Sequence, residues 1–369
     1  MKELEDFKLR ENPFQHITPI PGRGGIDTPW AGHKVLKENI EGIYKRLFNN
    51  PPRQIVLNWG PYGGGKTFAA YKFLEKRRER IDLHQTYVRS PKQGNSADKE
   101  LYKSLIGFIS YKKIKRQIQK LINELGEDGA FDFISNKIRS EEIAEAILRI
   151  GSQDEAISKL MKRYVFEGLT RTELKEVDLP KNIDWGTDSI EFLSGIIHCF
   201  IGDQEKIKGR FVLWIDEMED MIYYSQKEYR AFSQVLRDLF DSINQHFLVL
   251  LNFTLAEPEE DTIELLLGAA LWSRINKKIR FKELSNDEAL EYCSDLISHY
   301  HTENGLSSYM PFSEDIINGI IRIIPSNSLT PREINRYCGE VLNFAMENDH
   351  KKITLNTVNE CLEKIRENE

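Results

Sequence analysis

The sequence predicts an α/β protein, in which helices flank a parallel sheet, a helical insertion interrupts it, and an all-helical domain follows it. Three observations support this fold class. Short apolar runs that end in glycine or polar residues have the length of buried parallel strands. A glycine-rich loop joins the first run to a helical pattern. From Ser285 onward, apolar residues recur at helical spacing.

Composition sets the size and the class of the protein. The chain has 369 residues, which at about 100–200 residues per domain favours two domains. Hydrophobic residues make up 40% of the sequence and charged residues 30%, which is enough apolar material for a core. The net charge is −7, which argues against a protein whose whole surface neutralises phosphates. This charge still allows a local basic stripe on the surface.

The N-terminus and the cysteines indicate the compartment. The first residues, MKELEDFKLRENPF, lack the apolar core of a secretion signal, and no run approaches the ~18 apolar residues of a membrane span. The cysteines form no CxxC pair and have no histidine at ligand spacing, so we expect reduced thiols rather than disulfides or zinc. They are Cys199, Cys293, Cys338 and Cys361. We expect a cytoplasmic protein with no membrane partner.

The first predicted strand, Ile55-Val56-Leu57, leads into a phosphate-binding pattern. The pattern G-x-x-x-x-G-K-[ST] is matched by Gly60-Pro61-Tyr62-Gly63-Gly64-Gly65-Lys66-Thr67. Its glycines let successive amide groups surround an anion, and the helix that follows directs its positive end at the phosphates. The sequence therefore predicts a nucleoside triphosphate site, in which Lys66 contacts the β- and γ-phosphates and Thr67 holds Mg²⁺.

The second predicted strand, Phe211 to Ile215, ends in acidic residues. A carboxylate beside the phosphate loop can coordinate Mg²⁺ through water, and its neighbour can activate the attacking water as a general base. We assign these roles to Asp216 and Glu217, although acidic residues also commonly follow strands as plain surface charges. Glu219 and Asp220 are interpreted as such surface charges because they lie beyond the expected end of the strand.

A helical insertion is predicted before this second strand, at about residues 111–182. The chain between the first helix and Asp216 is far longer than the ~30 residues of one βαβ unit. The stretches SEEIAEAILRI and DEAISKLMKRYVF have helical periodicity, with breaks at Gly126, Gly129 and Gly151. The basic run from Tyr111 to Lys120 could contact DNA or form an ordinary solvated helix face.

Two further strands precede the C-terminal helices. Phe247 to Leu251 predicts a buried strand tipped by Asn252, whose amide could hold the attacking water or simply form a turn, with Thr254 as a weaker substitute. Residues 279–281 predict a shorter strand. A serine caps NDEALEYCSDLISHY, and proline begins PREINRYCGEVLNFAM at a favoured first helical position. The expected organisation is an N-terminal segment (1–40), a nucleotide-binding domain (41–284) and a helical domain (285–369).

In this order the motifs resemble those of the AAA+ ATPases, in the branch that contains origin-recognition, clamp-loader and transposition-regulator ATPases. The resemblance covers residues 11–369 apart from the insertion, which compact relatives lack. GPYGGGKT is similar to Walker A, VLWIDEMED to Walker B and LLNFT to sensor 1. Residues 11–14, ENPF, resemble the start of the branch's N-terminal segment, which passes near the adenine.

Two arginines extend the resemblance. Ser273-Arg274 is similar to the box whose arginine reaches the γ-phosphate of a neighbouring subunit, although Arg280 could serve instead and a surface ion pair is an equal alternative. The sequence TPREI at 330–334 resembles sensor 2, whose arginine, here Arg332, contacts nucleotide in its own chain. The implied catalytic residues are Lys66, Glu217, Asn252, Arg274 and Arg332, with Phe68 and Pro331 joining the loop in binding nucleotide.

The resemblance implies an ATP- and Mg²⁺-dependent switch. Such a protein would hydrolyse ATP, form a homo-oligomeric ring or filament with nucleotide at subunit boundaries, and recruit or regulate an effector protein. DNA is a possible partner, in replication, transposition or anti-phage defence. The alternative is a nucleotide-gated scaffold in a signalling or defence complex, with little turnover and no DNA contact. A small-molecule kinase is a third reading, but such kinases usually carry their lid early in the fold.

Overall fold

The central element of the computed structural model is a parallel sheet. The described residues are 4–15, 28–49, 53–76, 80, 82–203, 208–255, 260–350 and 352–368. The strands are β1 (Gln54–Gly60), β2 (Leu83–Arg89), β3 (Gly202–Asp203), β4 (Lys208–Asp216), β5 (Phe247–Thr254) and β6 (Ile275–Arg280). Five of them are parallel in the order β2-β4-β5-β1-β6, and β3 pairs antiparallel with β4. The carboxyl ends of the five strands therefore share one edge.

Helices flank the sheet and form most of the C-terminal region. They are α1 (Lys34–Asn49), α2 (Lys66–Lys76), α3 (Ala97–Ile109), α4 (Tyr111–Ser135), α5 (Glu141–Ile150), α6 (Glu155–Phe166), α7 (Arg171–Glu176), α8 (Thr187–His198), α9 (Gln226–Ser242), α10 (Glu260–Trp272), α11 (Asn286–Tyr300), α12 (Glu314–Ile323), α13 (Pro331–Glu347) and α14 (Leu355–Asn368). Among the described residues, none of these helices combines the length and the apolar character needed to cross a membrane.

The predicted α/β class with a helical C-terminal region is confirmed, with changes at several elements. Strand β6 begins at Ile275, earlier than expected, and Asn252 and Thr254 lie inside β5 rather than beyond it. The sequence did not reveal β2, whose residues LHQTYVR mix buried positions with half-buried and exposed ones. This strand is at the edge of the sheet, so it lacks the continuous apolar run of the inner strands.

The two faces of the sheet carry different cores. Val212 and Trp214 of β4 pack with α1 and α2, and the Trp214 indole donates to the Tyr44 hydroxyl at 3.1 Å. The alternate residues of β4 join a larger core formed with α3, α9, α10 and the insertion. Since successive side chains point to opposite faces, Asp216 lies on the same face as Trp214, beside the helix that follows the glycine-rich loop. The sheet thus directs the acidic strand end at that loop.

The insertion is helical and continuous with the larger core. Apolar residues of α4 to α6 pack in the same cluster as those of the sheet. Gly126 interrupts α4 with a φ of 78°, and Gly151 caps the end of α5, as predicted, but Gly129 lies within α4 and does not break it. In the basic run, Lys115 donates to the Ser158 hydroxyl at 2.7 Å and Lys120 pairs with Glu124.

The C-terminal helices form a separate core that includes the N-terminal residues. Phe7, Leu9 and Phe14 are buried there, and the ring of Phe14 meets that of Phe312 edge-on at 5.9 Å. Ser285 caps α11 with a capping box, and Thr330 caps α13, which has proline at its first position, as the sequence predicts. Three cysteines of this region and Cys199 of the sheet core are buried thiols.

Candidate nucleotide site

A cavity of about 240 Å³ opens at the carboxyl edge of the sheet. The glycine-rich loop, the chain around residues 28–36, the end of β4 and the first turn of α13 enclose it. Most of the predicted site residues line it: Tyr62, Gly63, Gly64, Gly65, Lys66, Thr67, Phe68, Asp216, Glu217, Pro331 and Arg332. Gly60, Pro61, Asn252 and Arg274 do not line this cavity.

Two loop glycines show how the cradle is shaped. Gly65 has a φ of +93°, and a Cβ atom built there would meet no atom within 4 Å, so the backbone faces open space. Gly63 has a φ of +75°, and its Cβ would lie 2.4 Å from the Cβ of Arg332. The loop can therefore present its amide groups to an anion while the start of α13 closes against it.

Lys66 places a cation at the base of the cradle. Its ammonium donates to the carbonyl oxygens of Gly60 at 2.9 Å and Pro61 at 2.8 Å, and only 5% of the residue is exposed. Burial lowers the pKa of Lys66 to about 8, although nearby Glu219 and Asp216 act to raise it. A phosphate would compensate this buried charge better than neutral carbonyls do, so the residue fits an anionic ligand.

A hydroxyl and a carboxylate form the candidate Mg²⁺ site. The Thr67 hydroxyl donates to Oδ2 of Asp216 at 2.7 Å, and the amide of Glu217 donates to Oδ1 at 3.0 Å. The Tyr87 hydroxyl also donates to Oδ2, at 2.8 Å. Burial raises the pKa of Tyr87, so its hydroxyl stays protonated. Oxygen atoms of this kind are what Mg²⁺ prefers, so the residues fit the ion.

Glu217 lies next to the candidate Mg²⁺ site, but its carboxylate is ion-paired with two basic side chains. Its backbone is left-handed, with a φ of 59°. Its carboxylate pairs with Nε of Arg89 at 3.4 Å and with Nζ of Lys92 at 3.2 Å, and 33% of its side chain is exposed. Lys92 also pairs with Asp220 at 2.6 Å. The predicted general base therefore lines the cavity while being oriented by ion pairs from the end of β2 and the loop after it.

The interpretation of Glu219 as a surface charge is wrong. Its carboxylate lines the cavity, accepts the amide of Thr254 at 2.9 Å, and has a pKa raised mainly by burial. The 3₁₀ helix from Met218 to Tyr223 turns the chain back toward the sheet, which brings this side chain over the edge. No sequence pattern marks the turn, so position in the strand alone could not reveal it.

Asn252 lies on β5, two residues before the end of the strand that lines the cavity. It is fully buried, its Oδ1 accepts from the Nδ2 of Asn58 on β1 at 2.9 Å, and its own Nδ2 has no partner within the described part of the chain. Thr254, two residues further along the same face of β5, lines the cavity instead. The residue considered the weaker substitute is therefore the nearer one.

The other end of the cavity is aromatic, and it includes the predicted residue Phe68 together with Trp30, His33 and Tyr292, which were not predicted. The ring of Trp30 lies 5.9 Å from that of Phe68, and the Tyr292 hydroxyl donates to Asn335 at 2.9 Å. Nε2 of His33 is buried there and has no partner among the described residues. This end has the flat walls and polar groups that fit a nucleobase. Of the predicted N-terminal segment, Phe14 packs in the helical core and residues 16–27 lie outside the described residues.

Structure comparison gives the fold, whereas no family model and no curated protein matches the sequence. The structure resembles the ORC2 protein of Aeropyrum pernix, solved as ADPNP and ADP complexes, with a TM-score of 0.52 and 10% identity over 96% of this chain and 71% of that one. It also resembles the ORC1 protein of the same organism, solved with DNA, with a TM-score of 0.51 and 11% identity over 99% of this chain and 71% of that one. The fold is therefore that of these two ORC proteins.

Arg332 lies at the cavity. It comes from the first turn of α13, and its Nε atom is buried without a partner in the part of the chain that the structure describes. An unpaired buried guanidinium nitrogen beside the glycine-rich loop fits an anion in the cavity.

Arg274 lies away from the cavity. It precedes β6, at the sheet edge opposite the loop, and its Nε and Nη2 atoms contact the Asp241 carboxylate at 2.6–3.0 Å. Arg280 lies at the other end of β6, with its guanidinium 5.1 Å from the centre of the Trp59 ring. Arg274 is half-buried and ion-paired with Asp241, whereas Arg280 is exposed. The role of Arg274 in trans stays a prediction.

Proposed function

We propose that this chain is an ATPase that acts as a molecular switch in a DNA transaction. One observation carries the proposal: a buried lysine, a hydroxyl–carboxylate pair and a guanidinium whose Nε is buried and unpaired among the described residues converge on a single cavity beneath a glycine-rich loop. Each of these groups is costly to bury without an anion or a cation to compensate it. ATP with Mg²⁺ would supply both charges at once.

The chemistry follows from the position of each residue. The loop amides and Lys66 bind the β- and γ-phosphates, and Arg332 neutralises charge that develops on the γ-phosphate oxygens. Thr67 and Asp216 would hold Mg²⁺, which would neutralise phosphate charge when bound. Glu217 accepts a proton from the attacking water. Asn252 and Thr254 supply polar groups below the γ-phosphate.

Hydrolysis and its dependence on DNA test this proposal. We expect the purified chain to hydrolyse ATP only with Mg²⁺, and we expect double-stranded DNA or an effector protein to change the rate. The likeness to an ORC1 protein solved with DNA supports DNA as the first ligand to try. A chain that binds no ATP would contradict the proposal.

A nucleotide-gated scaffold is the second candidate. It is favoured by the two ion pairs that hold Glu217, because a base tied to Arg89 and Lys92 is less free to reach water. ATP-dependent assembly, measured by light scattering, with no turnover under any of these conditions would support the scaffold over the ATPase. The small-molecule kinase has no observation in its favour.

We further propose that the active form is an oligomer in which Arg274 completes the site of the next subunit. Arg274→Ala is then expected to lose most ATPase activity while keeping ATP binding, because a guanidinium no longer meets the neighbour's γ-phosphate. Mixing Arg274→Ala with Lys66→Ala subunits should restore activity at about a quarter of the sites in a head-to-tail ring. Steady-state ATPase assays of the mixture check this.

The control for the mixing experiment is Arg280→Ala, since Arg280 ends β6 at the opposite edge of the sheet, whereas Arg274 directly precedes the strand. This variant should hydrolyse ATP normally. A mixture that stays inactive at every ratio would contradict the role of Arg274 in trans. In that case its contacts with Asp241 would be structural, joining the start of β6 to the end of α9.

A further inference from the structure

We propose that Tyr87 is a positioning residue for the metal-binding carboxylate of this site, an inference that rests on the proposed function. Tyr87 lies on β2, which carried no predicted site residue. Its hydroxyl donates to Oδ2 of Asp216 at 2.8 Å, and the same oxygen accepts the Thr67 hydroxyl at 2.7 Å. Tyr87 thus contacts the proposed metal ligand without itself facing the cavity.

The pairing of β2 with β4 places the Tyr87 hydroxyl within hydrogen-bond distance of Asp216. Tyr87 lies opposite Trp214 in the parallel pair of β2 and β4, two residues before the position of Asp216, and on the same face of the sheet. Its ring packs against that of Tyr71 of α2, with centroids 4.8 Å apart, and only 7% of Tyr87 is exposed. The ring is therefore held between a strand and a helix, with its hydroxyl at the carboxylate.

Three donors determine the orientation of the carboxylate. Oδ1 of Asp216 accepts the Glu217 amide, whereas Oδ2 accepts the hydroxyls of Thr67 and Tyr87. Since Thr67 would also face the ion, the Tyr87 hydroxyl is the side-chain donor that can keep the carboxylate in place once Mg²⁺ is bound. Its loss should affect the binding of metal–nucleotide and spare the contacts that Lys66 makes with phosphate.

The test is Tyr87→Phe, which keeps the ring and removes only the hydroxyl. Affinity for a fluorescent ATP analogue is measured by anisotropy with Mg²⁺ and again with EDTA. We expect binding with Mg²⁺ to weaken by about tenfold or more, the typical cost of losing an outer-shell partner of a metal ligand, and binding in EDTA to stay the same. The matched control is Tyr102→Phe, because that buried hydroxyl donates to a carbonyl, of Val165, in the other core.

A double-mutant cycle with Asp216→Asn separates positioning from a general effect on the fold. If Tyr87 acts through Asp216, its substitution should add little to the loss of Mg²⁺-dependent binding that Asp216→Asn already causes. Thermal melting of each variant shows whether it is folded, and if Tyr87→Phe is not, Tyr87→His takes its place in the cycle.

Three results would overturn the inference: unchanged binding in Tyr87→Phe, equal losses with and without Mg²⁺, or additive losses in the cycle. Each of these would leave the proposed function standing, provided that the unmodified chain binds ATP. Failure of the unmodified chain to bind ATP in either buffer would remove both.

Discussion

Lys66→Ala is expected to weaken ATP binding by at least about 100-fold. The ammonium is the buried cation at the base of the cradle, and it would exchange two carbonyl contacts for phosphate oxygens. Two hydrogen bonds to a charged group are worth about 1.5–3 kcal/mol each, and about 1.4 kcal/mol corresponds to a factor of ten in affinity. Isothermal titration calorimetry with ATP and Mg²⁺ measures the change.

The control for this variant is Lys72→Ala, six residues further along α2. Lys72 pairs with Glu75 at 3.5 Å and does not line the cavity, so its removal tests the loss of a lysine from the same helix. It should leave ATP affinity within about twofold of that of the unmodified chain, as for most surface substitutions. Normal ATP affinity in Lys66→Ala would contradict the assignment of the phosphate cradle.

The phosphate end of the site could be predicted because consecutive residues form it. A loop that surrounds an anion needs glycines at fixed spacing, then a lysine and a hydroxyl at the start of a helix, and few alternatives fit this pattern. Asp216 could be predicted for a related reason, since a buried strand must deliver its last residue to the edge where the loop lies. Both predictions depend only on local sequence and on the parallel sheet.

The base end and the second carboxylate could not be predicted because they depend on packing between distant parts of the chain. Trp30 and Tyr292 come from separate regions, and only the folded chain brings their rings to the end of the cavity where the predicted Phe68 lies. Glu219 faces the cavity because a short 3₁₀ helix reverses the chain after β4. The sequence did not predict Tyr87 because the edge strand that carries it lacks an apolar run.

Glu217→Gln is expected to lower the ATPase rate by about 10²- to 10⁴-fold, the usual contribution of a general base, while ATP binding is retained. The amide keeps the shape of the side chain and its position beside Asp216 but cannot accept the proton of water at neutral pH. Glu219 is a second candidate for the general base, because it also lines the cavity and burial raises its pKa. Single-turnover hydrolysis separates the chemical step from ATP binding and product release.

Two matched variants decide between the carboxylates. Glu219→Gln should slow hydrolysis less than Glu217→Gln, because its carboxylate is already engaged by the Thr254 amide, whereas Glu217 directly follows the proposed metal ligand. Asp220→Asn shares the Lys92 partner of Glu217 without lining the cavity, so it should leave the chemical step nearly unchanged. If Glu219→Gln stalled hydrolysis and Glu217→Gln did not, the general base would be Glu219. The ion pairs of Glu217 with Arg89 and Lys92 would then serve only to fix the end of β2 against β4.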